Sequence, residues 1–183
     1  MGSNRRKIIS YIAMSLDGKI ARLNGAVDWL ETLPNPDKLD YGYSSFIADI
    51  DITIMGNATY QEVLGFGIEF PYKGKTNYVL TRDKTKTVDE NVTFISSEFE
   101  SQIEKLIAEP GKDIWLIGGS QLNSLFLKNG WLDEMRVFVM PIVLGGGIPL
   151  FSSEITDVQM KLIKTKTFDT GVVELTYKPL DYE

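Results

Sequence analysis

The 183-residue sequence contains no cysteine. That excludes disulfides, thiolate catalysis and cysteine-bound metals. It contains no histidine either, which removes the commonest metal ligand and the side chain best suited to proton transfer near neutral pH. Acid–base chemistry is left to carboxylates, Tyr, Lys, water or a cofactor. No apolar run reaches transmembrane length. The basic MGSNRRKIIS at the N-terminus is followed by no uninterrupted apolar stretch and cleavage site, so it does not read as a secretion signal. Met1-Gly2-Ser3 reads as partly an expression scar. The missing disulfides and signal give the expectation of a cytoplasmic protein. Positive charge is in short supply: 19 Lys and Arg against 25 Asp and Glu leave −6. That argues against a polyanion partner but leaves room for a local basic site holding one phosphorylated ligand. What is present, 43% hydrophobic and 24% charged residues, suits a single soluble domain over residues 1–183, its core running from about 7 to 178, with a substantial interior.

Along the chain, 7–14 (KIISYIAM) reads as a buried strand, followed by a long loop with short structured pieces to about Asp40. A helix is expected over 41–49 and a strand over 51–55. A short helix then opens at Gly56-Asn57-Ala58-Thr59 and carries Tyr60, Val63 and Leu64. Strands are expected at 76–81 and 92–96. Phe99, Ile103, Leu106 and Ile107 share one helical face over 98–109, and Pro110-Gly111 stops that helix. A strand at 113–118, a helix at 120–129, and strands at 134–144, 160–168 and 172–178 complete the set. Asp169-Thr170-Gly171 is a hairpin turn between the last two. Strands alternating with helices and a closing hairpin predict an α/β fold with a mostly parallel sheet.

The most informative stretch is IWLIGGSQL, residues 114–122. A buried strand stops at Gly118-Gly119 and a helix begins at Ser120. Glycines there let a ligand approach the main chain, and the helix start offers unpaired N–H groups suited to phosphate. A tight turn capped by Ser120 explains the same pattern equally well. The grammar recurs at Ile54-Met55-Gly56-Asn57-Ala58-Thr59. It recurs again at Tyr78-Val79-Leu80-Thr81-Arg82, where a hydroxyl and a guanidinium follow the strand. In a parallel sheet these ends share one edge, where open α/β sheets bind ligands. Arg82, helped by Lys84 and Lys86, is a candidate for holding a terminal phosphate. For the two lysines a solvated turn is the favoured reading. Neither G-x-G-x-x-G after the first strand nor a P-loop is present, so ordinary Rossmann and P-loop readings lack support.

Four segments in order carry a resemblance. The stretch AMSLDGKIA (13–21) is similar to the first-strand signature of the riboflavin-biosynthesis reductase domain, the RibD C-terminal family. The stretch IMGNATY (54–60) resembles the corresponding junction of dihydrofolate reductases, and 114–127 the Gly-Gly cofactor loop of both. The stretch PIVLGGGIPLF (141–151) is similar to a further riboflavin-reductase signature. The resemblance implies a dihydrofolate-reductase-like fold, with an eight-stranded sheet flanked by helices, and NADPH as hydride donor. It implies that Gly118, Gly119, Ser120, Gln121 and Leu122 hold the pyrophosphate, with Ile117 at the strand end. It implies that Gly56, Asn57, Ala58 and Thr59 form a second phosphate-binding helix start. Leu80, Thr81 and Arg82 would lie beside the adenosine phosphate, and Ala13, Leu16, Asp17, Gly18 and Ile20 would border the nicotinamide. Dihydrofolate reductases often have a basic residue where Asn57 stands. Preference for NADPH over NADH therefore rests on Arg82.

On the substrate side, Gly25–Leu30 resembles the mobile loop of this superfamily, with Trp29 covering the nicotinamide. Packing of Trp29 on the core is the alternative. Counting back without gaps from Gly56, Asp40 falls near the pteridine-binding carboxylate of dihydrofolate reductases. It serves equally as the cap of the following helix. Asp17 suits a structural role in an Asp-Gly turn better than catalysis. Gly145-Gly146-Gly147 reads as a strand-breaking bulge or a loop passing close to substrate.

The leading expectation is an NADPH-dependent reductase of the riboflavin-reductase branch, acting on a small heterocyclic or ribosylaminopyrimidine-type substrate. A true dihydrofolate reductase and a non-catalytic nucleotide-binding protein of the same fold are the alternatives. The resemblance also implies a homodimer. Residues 136–144 are long and apolar, and pairing with a second copy would close them if they lie at a sheet edge. Coverage by the closing hairpin within one chain is the competing explanation.

Overall fold

The computed structural model describes residues 5–153, 155 and 157–180. Met1–Ser3 and their reading as an expression scar lie outside them. The elements in chain order are β1 (Ile8–Ser15), β2 (Lys19–Ala21), a short 3-10 turn (Asp28–Leu30), α1 (Tyr43–Ala48), β3 (Ile50–Gly56), α2 (Asn57–Gly65), β4 (Thr76–Leu80) and β5 (Thr93–Ile95). There follow α3 (Phe99–Ala108), β6 (Asp113–Gly118), α4 (Ser120–Lys128), β7 (Glu134–Met140), β8 (Ile148–Pro149), β9 (Met160–Thr167) and β10 (Val173–Pro179).

Eight strands form one sheet in the order β5-β4-β3-β6-β1-β7-β10-β9, and β2 and β8 form a separate antiparallel pair. β10 runs antiparallel to both of its neighbours, while the other pairings in the large sheet are parallel. This is the expected α/β architecture with a closing hairpin. The hairpin turn is tied by Gly171 N–H to the Phe168 carbonyl at 2.9 Å.

Alternation along the strands builds two apolar layers. From β6, Ile114 and Leu116 join Ile103 of α3 and Phe126 of α4 on one face. Trp115 points the other way, to Phe46 of α1, and Tyr60 and Val63 of α2 pack with Met55 and Val79 on that same side. Both faces are therefore covered by helices, as a parallel sheet requires.

Two expectations need correction. The strand expected over 134–144 ends at Met140, because Pro141 follows without an N–H for the ladder, and the chain turns with Ile142 N–H bonded to the Met140 carbonyl at 2.8 Å. Its apolar length is not an edge: β7 lies between β1 and β10, so the hairpin covers it within one chain. The open strand at that end of the sheet is β9. The pattern also concealed β2 and β8, which are too short to show periodicity. They meet where a Cβ on Gly147 would come within 2.5 Å of the Ala21 carbonyl oxygen. The triple glycine thus permits close passage of one loop over another. No helix among the described residues is long and apolar enough to cross a membrane.

Candidate active site

β4, β3 and β6 are adjacent and parallel, and their carboxyl ends are level: Gly56 pairs with Leu80, and Met55 with Gly118. The recurrent junctions of the sequence therefore do share one edge. Two helices start there, α2 at Asn57 and α4 at Ser120, and neither has a side-chain cap. Their first-turn N–H groups are donors without intrahelical partners, at the positive ends of the helix dipoles. Gly118 sits at φ 110°, a conformation costly for any residue with a Cβ, and one built there would press to 3.2 Å from Asn123 Oδ1. The Gly118–Gly119 peptide is cis.

Between the helix starts the surface is open. A Cβ on Gly119 would meet Thr59 Oγ1 at 3.6 Å and Ile20 Cδ1 at 3.8 Å, and one on Gly56 would meet Leu122 and the Gly118 carbonyl oxygen at 3.8 Å. Gly56, Thr59, Gly118, Gly119, Leu122 and Ile20, named separately in the sequence, thus surround one cradle. The Ser120 hydroxyl oxygen is buried without a partner, as is Asn123 Oδ1. Asn123 donates instead to the Leu150 carbonyl at 2.9 Å, and Ser124 Oγ accepts from Ser152 N–H at 2.8 Å. These contacts fix α4 against the loop after β8. Ala58 and Gln121 are exposed on their helix starts, and Ile117 is half-buried against the aromatic layer below.

At one end of the edge, Thr81 is buried and its hydroxyl accepts from Asp83 N–H at 3.1 Å, shaping the turn. Arg82 is exposed and makes no ion pair among the described residues. Lys86 departs from the solvated-turn reading: its ammonium donates to Asn57 Oδ1 at 2.9 Å and lies 5.4 Å from the Phe94 ring. Tyr60 of α2 also donates to Asp89 of the same loop. Burial, reinforced by Asp89, raises the Tyr60 pKa, so the hydroxyl stays a donor. Local sequence gave no sign of this clamp. It follows from the β4–β5 loop folding back across α2.

At the other end, β1 delivers Ala13, Leu16, Asp17 and Gly18. The Asp17 carboxylate accepts from Ser15 Oγ at 2.7 Å, Leu144 N–H at 3.0 Å and Gly145 N–H at 2.9 Å. The Leu144 N–H bond, then the Ser15 bond, lowers its pKa. Asp17 is thus a brace between the β1 turn and the triple-glycine loop. Leu16 is 66% exposed at this mouth.

Two residues expected on the substrate side stand elsewhere. Trp29 is fully buried with Phe138, Met140 and Val172, with Ala13 packed against the same cluster, which is the core-packing alternative. Asp40 is exposed, and its carboxylate accepts from Gly42 N–H at 2.9 Å and Ser44 N–H at 3.0 Å, which is the capping reading. Hydrogen bonding from Ser44, then Gly42, lowers its pKa to about 2. It is not a buried acid poised to donate a proton.

A sequence model of the RibD C-terminal domain matches residues 72–174, more than half of the chain. The chain belongs to the RibD C-terminal domain family. The Bacillus subtilis (strain 168) protein YwjB is 40% identical over 167 residues, covering 91% of this chain and 95% of its own. Among solved structures, a Shewanella sp. PV-4 protein assigned to riboflavin biosynthesis superposes with TM-score 0.85 at 31% identity, over 96% of this chain and 99% of that one. The Thermotoga maritima diaminohydroxyphosphoribosylaminopyrimidine deaminase/5-amino-6-(5-phosphoribosylamino)uracil reductase gives 0.72 at 20%, over 96% of this RibD C-terminal chain and 57% of its own. Enterococcus faecalis dihydrofolate reductase, complexed with NADP(H) and RAB-propyl, gives 0.69 at 17%, over 97% and 99%. These last two are similar in fold alone, and the fold of this RibD C-terminal domain is dihydrofolate-reductase-like.

Proposed function

We propose that this RibD C-terminal domain is an NADPH-dependent reductase of the riboflavin-pathway type. It transfers hydride to a small heterocyclic or ribosylaminopyrimidine-type substrate. The observation that carries the reading is the cradle itself. Two uncapped helix starts, joined across glycines, face each other on the carboxyl edge of a parallel sheet. Such a surface suits a bridging pyrophosphate, which takes backbone N–H donors and positive dipole ends and needs no protein cation in contact.

The residues present fit that cofactor along its whole length. The N–H groups of 57–59 and 120–122 would hold the pyrophosphate, with the unpartnered Ser120 hydroxyl as a further donor. Arg82 and Lys86 would flank a terminal phosphate, to which a guanidinium offers two parallel donors. Ala13, Gly18 and Ile20 would border the nicotinamide at the β1 end. The nicotinamide supplies hydride when bound. This chain's contribution is position and shielding, and water can deliver the accompanying proton.

Within the superfamily, the outward-facing Asp40 favours the riboflavin-type reading over a folate one. A carboxylate bonded to its own helix start is not available to a pteridine. Association into a homodimer through the open β9 edge belongs to the same proposal. NADPH oxidation followed by absorbance, with ribosylaminopyrimidine substrates and with dihydrofolate in parallel, tests the reading. Oxidation with the first and not the second supports it. Oxidation with dihydrofolate alone replaces it with a folate reductase. NADPH binding without oxidation leaves a nucleotide-binding protein.

A further inference from the structure

The segment after β7 is stitched to the turn between β1 and β2. The Ile142 carbonyl accepts from Leu16 N–H at 2.8 Å, Leu144 and Gly145 donate to Asp17, and β8 pairs with β2. Leu150 N–H then donates to the Gly18 carbonyl at 3.1 Å. Leu150 also faces the other way: its carbonyl accepts from Asn123 Nδ2 of α4 at 2.9 Å. The main chain of one residue therefore joins the Asp17–Gly18 turn to the first turn of α4.

Packing alone does not call for Asn123. It is 0% exposed on the buried face of α4, which also carries Phe126 and Leu127, where an apolar side chain avoids the cost of desolvating an amide. The Leu150 carbonyl needs a donor, so Nδ2 faces it and Oδ1 is left without a partner. The same side chain backs onto Gly118, where a Cβ would lie 3.2 Å from Oδ1. Its own N–H closes the helix onto the Gly119 carbonyl at 3.0 Å. Asn123 thus touches both glycines of the cradle and, through Leu150, holds the Gly18 turn. A buried polar side chain with one directed bond fixes a relative position that apolar packing leaves loose.

We propose that Asn123 is a positioning residue. It sets the separation between the α4 helix start, where the pyrophosphate would lie, and the Gly18 turn, where the nicotinamide would lie. This rests on the cofactor reading above. A ligand held at both ends gains from subsites already fixed at the right spacing, whereas one held at the pyrophosphate end alone does not. Asn123 is itself buried behind the glycines and acts through them and through Leu150.

Calorimetric titration with two probes tests this. NADPH spans both ends, and 2′-phospho-ADP-ribose carries the same phosphates without the nicotinamide. Asn123→Leu keeps a branched side chain of similar length and removes the donor. It should weaken NADPH about 10-fold, the upper end of what one net hydrogen bond is worth, and leave 2′-phospho-ADP-ribose within about 2-fold. Asn123→Ala, which cannot overpack the site, should show the same split and decides the matter if the leucine variant does not fold. Ser124→Ala removes the neighbouring bond from Ser152 N–H, outside the path through Gly18. It should lower Tm and leave the ratio of the two affinities unchanged. Asn123 variants that weaken both probes equally, or neither, overturn the proposal and leave the cofactor reading standing, as does a Ser124→Ala protein with the same change of ratio. A parent protein that binds neither probe overturns the cofactor reading and the proposal with it.

Discussion

The Lys86 ammonium lies 2.9 Å from Asn57 Oδ1, so a cation from the β4–β5 loop stands at the first residue of α2. The sequence offered only a neutral amide at that position. Folding of the loop restores positive charge there, and Arg82, which makes no ion pair among the described residues, lies on the same loop. Arg82→Ala is expected to weaken NADPH by about 10–150-fold, the equivalent of the roughly 1.5–3 kcal/mol of a charge-assisted contact, and barely to affect NADH. Lys86→Met should add a further loss for NADPH of about 10-fold on the same scale. Calorimetric titration with both cofactors reads the split. Equal losses for NADPH and NADH would remove these residues from the phosphate site.

Gly119→Val should abolish NADPH binding and leave the fold intact. The first added carbon meets Thr59 and Ile20 at 3.6 and 3.8 Å, ordinary contact distances, so the protein tolerates it. The remaining methyl groups would add bulk between the two helix starts, where the proposed pyrophosphate needs close backbone approach. Unchanged affinity in a variant with an unaltered melting curve would sink the assignment of this cradle.

The cradle was legible because it is built from backbone. Strand, glycine and helix start follow one another within a few residues at 54–59 and 114–122, and parallel pairing brings the ends together. The same local character explains why nearly every helix and strand fell within a few residues of its expected place. What could not be read was set by tertiary contacts. Lys86 meets Asn57 across 29 positions, and Asp17 braces Leu144 across 127. Trp29 and Asp40 went astray for another reason. The resemblance of Gly25–Leu30 to a mobile loop placed Trp29 and gap-free counting placed Asp40, both in a segment whose path depends on what it packs against.

Trp29 makes that point measurable. Its indole is fully buried, with Nε1 lacking a partner, so its contribution is volume and not hydrogen bonding. Trp29→Ala should cost about 3–5 kcal/mol of stability and lower Tm by roughly 10 °C. Trp29→Phe keeps a ring in the site, removes the orphaned N–H, and should retain turnover. Calorimetry and steady-state kinetics on both variants check this. A stable Trp29→Phe protein that had lost kcat would restore Trp29 to the site.

Asp40 yields a pH dependence with a definite sign. Its folded pKa is about 2 against an ordinary 3.8, because the charged form accepts hydrogen bonds from Ser44 and Gly42. A depressed folded value means that the charged form stabilises the native state above the ordinary pKa, and that this is lost as pH falls toward the folded value. Asp40→Ala should therefore lie below the parent in Tm at neutral pH and converge with it as pH falls from about 4 to about 2. Thermal melts across that window measure it. Because this carboxylate serves a helix start, NADPH oxidation at pH 7 should change little in the variant, and a large loss of kcat would reopen a catalytic role.

The last prediction concerns association. With β7 enclosed by β1 and β10, the open strand is β9, whose Leu162 and Ile163 are 47% and 48% exposed. A strand of eight residues with an unpaired side is a template for another chain. Lys161, Lys164 and Lys166 along it would discourage indiscriminate pairing, since each new neighbour of the same kind brings its own positive charge. A two-fold arrangement can offset that charge with acidic groups of the partner, and it closes after two copies. The riboflavin-type reading predicts such a dimer. Sedimentation at micromolar concentration should give twice 20.6 kDa, and Leu162→Lys/Ile163→Lys should shift the population toward monomer with its melting transition still cooperative. A parent protein that sediments as a monomer would reject the dimer and leave β9 protected by its lysines alone, without touching the cradle or the hydride chemistry argued from it.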